Sequence, residues 1–351
     1  MGRTRRDLLS RIGAAGSASL ALGAGCVGRP VGGSDGGSDD GVGSLDIAFQ
    51  APAETTDVNT WLGAERFAPN DYELSTSIDV FEGIDLAVQS VLGGEADMAR
   101  GSIPAAASII AAGRPFEFVM SPVETTDYVL VTRPGIESLA DIVEQDAVIG
   151  MSAPTGLNAV QVAAVMLQAG VIDSIDRLNF QRVGYSSARR TAIRNGEIDV
   201  SPQHFAQWLG MRSANPDLNR LLTFGERLDR WVQEAFMIPR ETLERKRPEI
   251  TAFIKGQLRA NRALYDGFDR YRSIVERYVP GGGPGTDVLR PTYEFLSGID
   301  IWPPNGGLRR SDVDFMLGLS RRLGVTDERI PTDEVFRRGP LDDALGALGR
   351  V

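Results

Sequence analysis

Residues 146–171 read DAVIGMSAPTGLNAVQVAAVMLQAGV, and the reading of this stretch decides the fold. Residues 147–151 are a short apolar run, expected as a buried strand. Residues 152–155 form a turn of helix-starting types, and Gly156 opens a helix. From Leu157 onward Val160, Ala164 and Leu167 share one face, with Val162 and Met166 beside them. Asn158, Gln161 and Gln168 leave only a narrow polar stripe. A strand that feeds a mostly buried helix through a small-residue turn is half of a βαβ unit. The free N–H groups of such a turn sit at the positive end of the helix dipole and can hold an anionic or carbonyl group. The bland alternative is a simple cap, contributing about 1 kcal/mol.

The same pattern repeats on either side. Upstream, strands are expected at 45–50 (LDIAFQ), 72–81, 96–100 and 116–121. Helices are expected at 61–67, at 84–92 before Gly93–Gly94, and at 105–112 after Pro104. This is a parallel, doubly wound order. Downstream of 121 a second unit follows, with strands at 126–132, 147–151, 178–183 and 197–201. Its helices are expected at 138–143, from 157, at 186–195, and from Pro202–Gln203 to about Met211. A return strand is read at 232–239 (VQEAFMIP) and one long helix at 240–266. Beyond Pro280 the chain reads as irregular, then helical near 311–323 and 341–348. One unit nested in another needs two linkers, placed near 121–127 and 224–231. The fold class expected is therefore α/β and two-lobed, each lobe a doubly wound α/β sheet, with a hinge of two crossovers. Residues 45–123 and 228–351 form the first lobe with the C-terminal helices, and 124–227 the second. Doubly wound units bind ligands at the C-terminal ends of their strands, so two facing lobes make a cleft that can close.

The chain begins differently. Residues 4–9 are TRRDLL, and 12–25 are rich in Ala, Gly, Ser and Leu. A charged segment before a short apolar one is the pattern of a signal peptide, too short for a spanning helix. Arg5–Arg6 resembles a twin-arginine export signal, so 1–25 is expected to direct export. Cys26, the single cysteine, follows LGAG. It allows neither an internal disulfide nor a four-ligand zinc site. Its position resembles a lipoprotein processing site, although Gly23 stands where that pattern favours Leu. Residues 27–44 hold seven Gly, three Ser and three Asp with no aromatic side chain. Such a stretch is expected to be a flexible tether with a span of roughly 20–25 Å.

Without residues 1–25 the chain keeps 33 basic and 46 acidic side chains, a net charge of −13. That surface argues against nucleic acid, whose phosphates need a basic footprint. Lys246 and Lys255 are the only lysines. Excess Asp and Glu with so little Lys fits a saline, halophile-like setting.

Four segments carry a resemblance: 90–113 (SVLGGEADMARGSIPAAASIIAAG), 130–158 (LVTRPGIESLADIVEQDAVIGMSAPTGLN), 190–208 (RTAIRNGEIDVSPQHFAQW) and 235–260 (AFMIPRETLERKRPEITAFIKGQLRA). Together with 302–325 they resemble the periplasmic-type (type II) substrate-binding proteins of ABC transporters. The resemblance is to the group that takes nitrate, sulfonates, taurine and thiamine-pyrimidine precursors. It implies ligand-facing positions at Gln50, Ser102, Ser121, Thr155, Gly156, Asn158, Gln203 and His204. Backbone N–H groups near Ile103 and at Gly156–Leu157 are expected to orient a polar or anionic group. Trp61 follows the first strand end and could stack on a ring, or simply pack. Arg100 replaces a small residue and is read either as a cation for the ligand or, preferentially, as a structural residue facing outward. His204, the only histidine, is a cap or surface residue or a ligand contact.

The expectation is an exported binding lipoprotein, anchored to the membrane through Cys26. It is monomeric, with no metal or cofactor, and works with an ABC permease and its ATPase. The ligand would favour the closed state by touching both lobes. A thiamine-pyrimidine synthase-like enzyme is the first rival, and the scarcity of Cys and His weighs against it. A receptor of a tripartite transporter is the second.

Overall fold

The computed structural model describes residues 42–153 and 156–351. The expected signal peptide, Cys26, the tether up to residue 41 and Thr155 lie outside the described residues.

The first lobe opens with β1 (Gly43–Phe49), which starts inside the stretch expected as tether because Gly43 and Ser44 pair with Leu74 and Ser75. The helical segments α1 (Val58–Leu62) and α2 (Ala68–Tyr72) follow, joined by a π-helical turn at Gly63–Phe67. Then come β2 (Leu74–Val80), α3 (Ile84–Gly93), β3 (Met98–Gly101), α4 (Ile103–Ala111) and β4 (Phe116–Val123). The second lobe holds β5 (Tyr128–Thr132), α5 (Leu139–Glu144), β6 (Val148–Met151), α6 (Leu157–Gln168), β7 (Asn179–Arg182) and α7 (Ser186–Arg194). It closes with β8 (Val200–His204), α8 (Phe205–Arg212) and β9 (Asn219–Thr223). The chain returns through β10 (Glu234–Pro239) to α9 (Arg240–Arg245), α10 (Arg247–Ala263), α11 (Phe268–Tyr278) and α12 (Thr286–Gly298). It ends with α13 (Arg310–Arg322), α14 (Thr332–Val335) and α15 (Gly339–Leu348).

Each lobe is a five-stranded sheet, ordered β2-β1-β3-β10-β4 and β7-β6-β8-β5-β9. Both sheets are mixed rather than purely parallel. β10 runs antiparallel to β3 and β4, and β5 antiparallel to β8 and β9. The reason lies in the connections. β5 and β10 both start where the chain crosses from one lobe to the other, beside the strand ends of the sheet they enter. A strand that starts at that edge must run away from it, against its parallel neighbours.

Three local expectations need correction. β8 extends past Ser201 through Pro202 and Gln203 to His204 instead of turning into helix. β6 pairs with it only at Ile149–Val200, so beyond that point the strand borders one neighbour, where proline is tolerated. The long helix expected at 240–266 breaks at Lys246, because Pro248 fits only a first turn. The chain past Pro280 is not irregular: α12 forms there despite Pro291 within it.

Apolar packing joins the lobes behind their strand ends. One buried cluster runs from Ile103 and Ala106 on α4 through Tyr128 and Leu130 on β5 to Val160 and Val162 on α6. At the side, α12 reaches α8, where the rings of Phe205 and Phe295 stack at 4.1 Å. The Ser138 hydroxyl and Asp141 form a capping box that fixes the start of α5.

Candidate functional site

A cleft of about 850 Å³ opens between the two sets of strand ends. Its first wall comes from the segment after β1 (Gln50 to Thr55), the turn before α3 (Glu82 to Asp85), and Glu234 at the start of β10. Its second wall comes from Ser152, Gly156 to Asn158, Arg182 to Arg190, His204 and Gln207. A third edge, absent from the sequence reading, is the loop after α11, where Pro280, Gly283 and Pro284 reach the cleft.

Five of the sequence-derived positions meet here: Gln50, Gly156, Leu157, Asn158 and His204. The Gly156 turn is tight for a stated reason. A Cβ on Gly156 would lie 2.7 Å from Ser152 Oγ and 3.0 Å from the Ala153 carbonyl. Asn158 closes the same turn. Its Oδ1 accepts from the Ser152 N–H at 3.2 Å, and its Nδ2 donates to Ser152 Oγ at 3.1 Å.

The other positions sit one layer back. Trp61 packs its ring 4.3 Å from that of Phe49, and it is Phe49 that faces the cleft. Ser102 is buried and caps α4, accepting from the Ala105 N–H at 3.4 Å. Ile103 lies in the apolar cluster between the lobes. The Ser121 hydroxyl is 2.9 Å from the Val123 carbonyl and 2.8 Å from that of Glu234, so it ties β4 to β10 at the crossover. Gln203 is buried under α8. With its amide oriented to satisfy both ends, it donates to Gln207 Oε1 at 2.7 Å. Gln207 in turn donates across the cleft to Glu54 Oε1 at 2.9 Å.

Arg100 faces neither solvent nor the open cleft. Fully buried on β3, it pairs with Asp57 and Glu234, donates to Thr60 Oγ1 at 3.2 Å, and lies 4.7 Å above the Phe49 ring. Burial opposes its charge, yet the two carboxylates outweigh this and raise its pKa. Gln50 donates to the same Glu234. Burial pushes the Glu234 carboxyl up, against the pull of Arg100.

His204 is equally enclosed. Its Nδ1 is 3.0 Å from each oxygen of Asp127, and its ring is 4.2 Å from that of Tyr128. Thr56, from the first lobe, donates to the same carboxylate at 2.8 Å. Burial disfavours the imidazolium, but Asp127 raises its pKa well above the usual value. Burial also disfavours the Asp127 carboxylate, and His204 with Thr56 lowers its pKa all the same. The two form a buried ion pair beside the cleft.

Glu54 and Arg189 are different. Among the described residues neither has an ion-pair partner. Glu54 accepts only the Gln207 amide. Burial pushes its carboxyl up; His204 opposes this, and Asp57 and Asp127 add to it. Arg189, 1 % exposed, donates to the carbonyls of Gly184 (2.6 Å) and Pro202 (3.2 Å) and to Ser186 Oγ (3.2 Å). Burial lowers its pKa. Further contacts cross between the lobes: the Tyr185 hydroxyl donates to the Phe81 carbonyl, and Gln161 Nε2 to Gln233 Oε1 at 3.1 Å.

Glu54, Asp57, Glu234, Asp127 and Arg189 carried no readable sequence signal of their own. Glu54 and Asp57 stand in a polar turn that reads as helix caps, and Arg189 lies in the helix expected at 186–195. Among the described residues no group of three or more His, Cys, Asp or Glu is placed to hold a metal ion, and no helix is long and apolar enough to cross a membrane.

Solved structures share this fold. The periplasmic nitrate-binding protein NrtA of Synechocystis PCC 6803 is 15 % identical, with a TM-score of 0.70 over 87 % of this chain and 89 % of its own. The ligand-binding component of an ABC-type import system from Staphylococcus aureus, solved with zinc bound, is 13 % identical, with a TM-score of 0.70 over 86 % and 98 %. The alkanesulfonate-binding protein SsuA of Xanthomonas axonopodis pv. citri, bound to MOPS, is 15 % identical, with a TM-score of 0.67 over 84 % and 98 %. The chain has the fold of these binding proteins. No family model matches the sequence. No curated protein matches it either.

Proposed function

We propose that the protein is the extracytoplasmic substrate-binding lipoprotein of an ABC importer. It captures a small polar or anionic organic molecule of the sulfonate, taurine, nitrate or thiamine-pyrimidine-precursor class and delivers it to a permease with its ATPase. The observation that carries this reading is the cleft itself, walled by both sheets and bridged by Gln207–Glu54 and Tyr185–Phe81. A solute that touches both walls favours the closed state, because half of its contacts exist only there. The likeness in fold to nitrate- and alkanesulfonate-binding proteins supports the same reading. In it the chain acts as a monomer without catalysis. Export runs through Arg5–Arg6, and Cys26 carries the lipid that holds the protein at the membrane.

The test is capture. The exported protein is incubated with a metabolite extract, washed, and the bound molecule identified by mass spectrometry. A single retained solute is expected, lost in Leu157→Trp, which fills the cleft from α6. Nothing retained, or equal retention by the variant, would refute the reading. For the anchor, Cys26→Ser is expected to move the protein from membrane to medium in fractionation. Unchanged membrane partitioning would rule lipidation out.

A further inference from the structure

The two cleft walls carry opposite charge. On the first wall Asp57 and Glu234 share one guanidinium, that of Arg100, while among the described residues Glu54 has no cation within ion-pair distance and feels His204 and Arg190 only through space. Glu82 and Asp85 extend that acidic wall to the rim. On the second wall the His204 charge is matched by Asp127. Arg182, Arg189 and Arg190 line the cleft, and among the described residues none of them has a carboxylate within ion-pair distance, Arg189 and Arg190 feeling Glu54 only across the gap. Facing charges held apart by a gap lower their energy when something of matching polarity fills it. Within a shielded cleft that gain is far larger than at an open surface.

We infer that the ligand is a dipolar ion, with a cationic nitrogen seated on Glu54 and an anionic group directed to the arginines of the second wall. This rests on the solute-binding reading and narrows it. A simple anion such as nitrate or a plain alkanesulfonate would satisfy the second wall but leave Glu54 unpaired beside two further carboxylates. A simple cation would satisfy Glu54 and meet three guanidinium groups across the gap. Only a molecule with both charges draws the walls together, so the charge pattern also supplies the force for closure. Glu54 is the residue that separates these cases, since its one described hydrogen-bond partner is the neutral amide of Gln207 and the cations of the second wall reach it only across the gap.

The experiment is calorimetric titration of the exported protein with matched probes. One set is 2-aminoethanesulfonate, ethanesulfonate and ethylammonium; the other is 4-aminobutanoate, butanoate and butylammonium. A dipolar probe is expected to bind, and each of its singly charged truncations to bind at least about 10-fold more weakly, as loss of a charge-assisted hydrogen bond implies. Glu54→Gln is expected to weaken the dipolar probe about 10- to 100-fold while leaving ethanesulfonate binding equal or stronger. A truncation that binds as tightly as its dipolar parent overturns the inference and leaves the solute-binding reading intact. So does a Glu54→Gln variant that weakens every probe alike. Silence of both dipolar probes also overturns it, and the capture experiment then decides separately whether the cleft takes a solute at all.

Discussion

Arg100 and His204 occupy matching places. The two sheets have the same strand order, and β3 and β8 are the third strand in each. Each of these strands carries a buried basic side chain at its C-terminal end, Arg100 next to last in β3 and His204 last in β8. The surroundings differ. Arg100 serves two carboxylates, whereas His204 serves one. Arg100 cannot lose its proton in any ordinary range, so it stays charged at every physiological pH. His204 can titrate, and its cluster sits at the crossover, where Thr56 of the first lobe also reaches Asp127. The comparison teaches that one lobe sets a permanent cation against two carboxyl groups beside the cleft, while the other ties a balanced His204–Asp127 pair into the hinge.

Removing Arg100 should break this pattern most severely. Arg100→Met deletes the only ion-pair partner of Asp57 and Glu234 among the described residues and leaves both carboxylates enclosed. A loss of about 3–5 kcal/mol in unfolding free energy is expected, the usual cost of orphaning a buried charge. Adding Glu234→Gln to Arg100→Met should recover part of it, since one of the two stranded charges is gone. Urea denaturation measures both. A loss under about 1 kcal/mol for the single variant would mean that Arg100 is dispensable to the wall it supports.

The His204 cluster should respond to pH in a way the Arg100 cluster cannot. The folded pKa of His204 lies above its ordinary 6.5, so its contribution to stability is complete below that value. It fades as pH rises through the raised folded pKa. Asp127 lies below its ordinary 3.8, so its contribution is complete above that value and fades only as pH falls through the lowered one. Between the two the pair is intact. Asp127→Asn should therefore cost about 1.5–3 kcal/mol near pH 6, with the difference from wild type shrinking as pH climbs past the His204 transition. Denaturant melts from pH 5 to 10 test this. A difference that stays flat across the series would mean that the imidazole is not charged in the native protein.

Much of this architecture was legible in the sequence, and the failures share one cause. Strands such as 116–123 and helices such as 157–168 announce themselves by runs and periods of apolar residues, which depend on neighbours a few positions away. What the sequence did not reveal depends on distant partners. The antiparallel sense of β5 and β10 follows from where the crossovers sit. Helix α12 is polar enough on one face to read as loop until Phe295 is seen stacking on Phe205. The candidate site divides the same way. Gly156 and Asn158 belong to a local turn that reads directly from the sequence; Asp57 matters through Arg100, 43 positions away, and Glu54 through Gln207, 153 positions away, while Arg189 is turned inward onto Gly184, Ser186 and Pro202. The family resemblance implies ligand-facing positions at Ser102, Ser121 and Gln203; in this structure each has its polar atoms engaged in the layer behind the wall.

The finest test of the two-wall comparison is the single amide that crosses between them. Gln207 reaches from α8 to Glu54, with Gln203 behind it to fix the amide. Gln207→Met keeps the length of the side chain and removes the donor. The contact exists only when the lobes are together, so its loss raises the energy of the closed form and leaves the open form alone. A shift of about 1 kcal/mol toward open follows from a typical hydrogen bond, about 5-fold in the apparent affinity for a captured solute. Global stability in urea should barely change, because the second lobe keeps its own core around Trp208 and Met211. Titration with the captured solute reads the first quantity, and the radius of gyration in solution reads the position of the lobes. Unchanged affinity together with an unchanged radius would mean that closure is held by the Phe205–Phe295 stack and the apolar cluster behind the cleft, with the polar bridge a passenger.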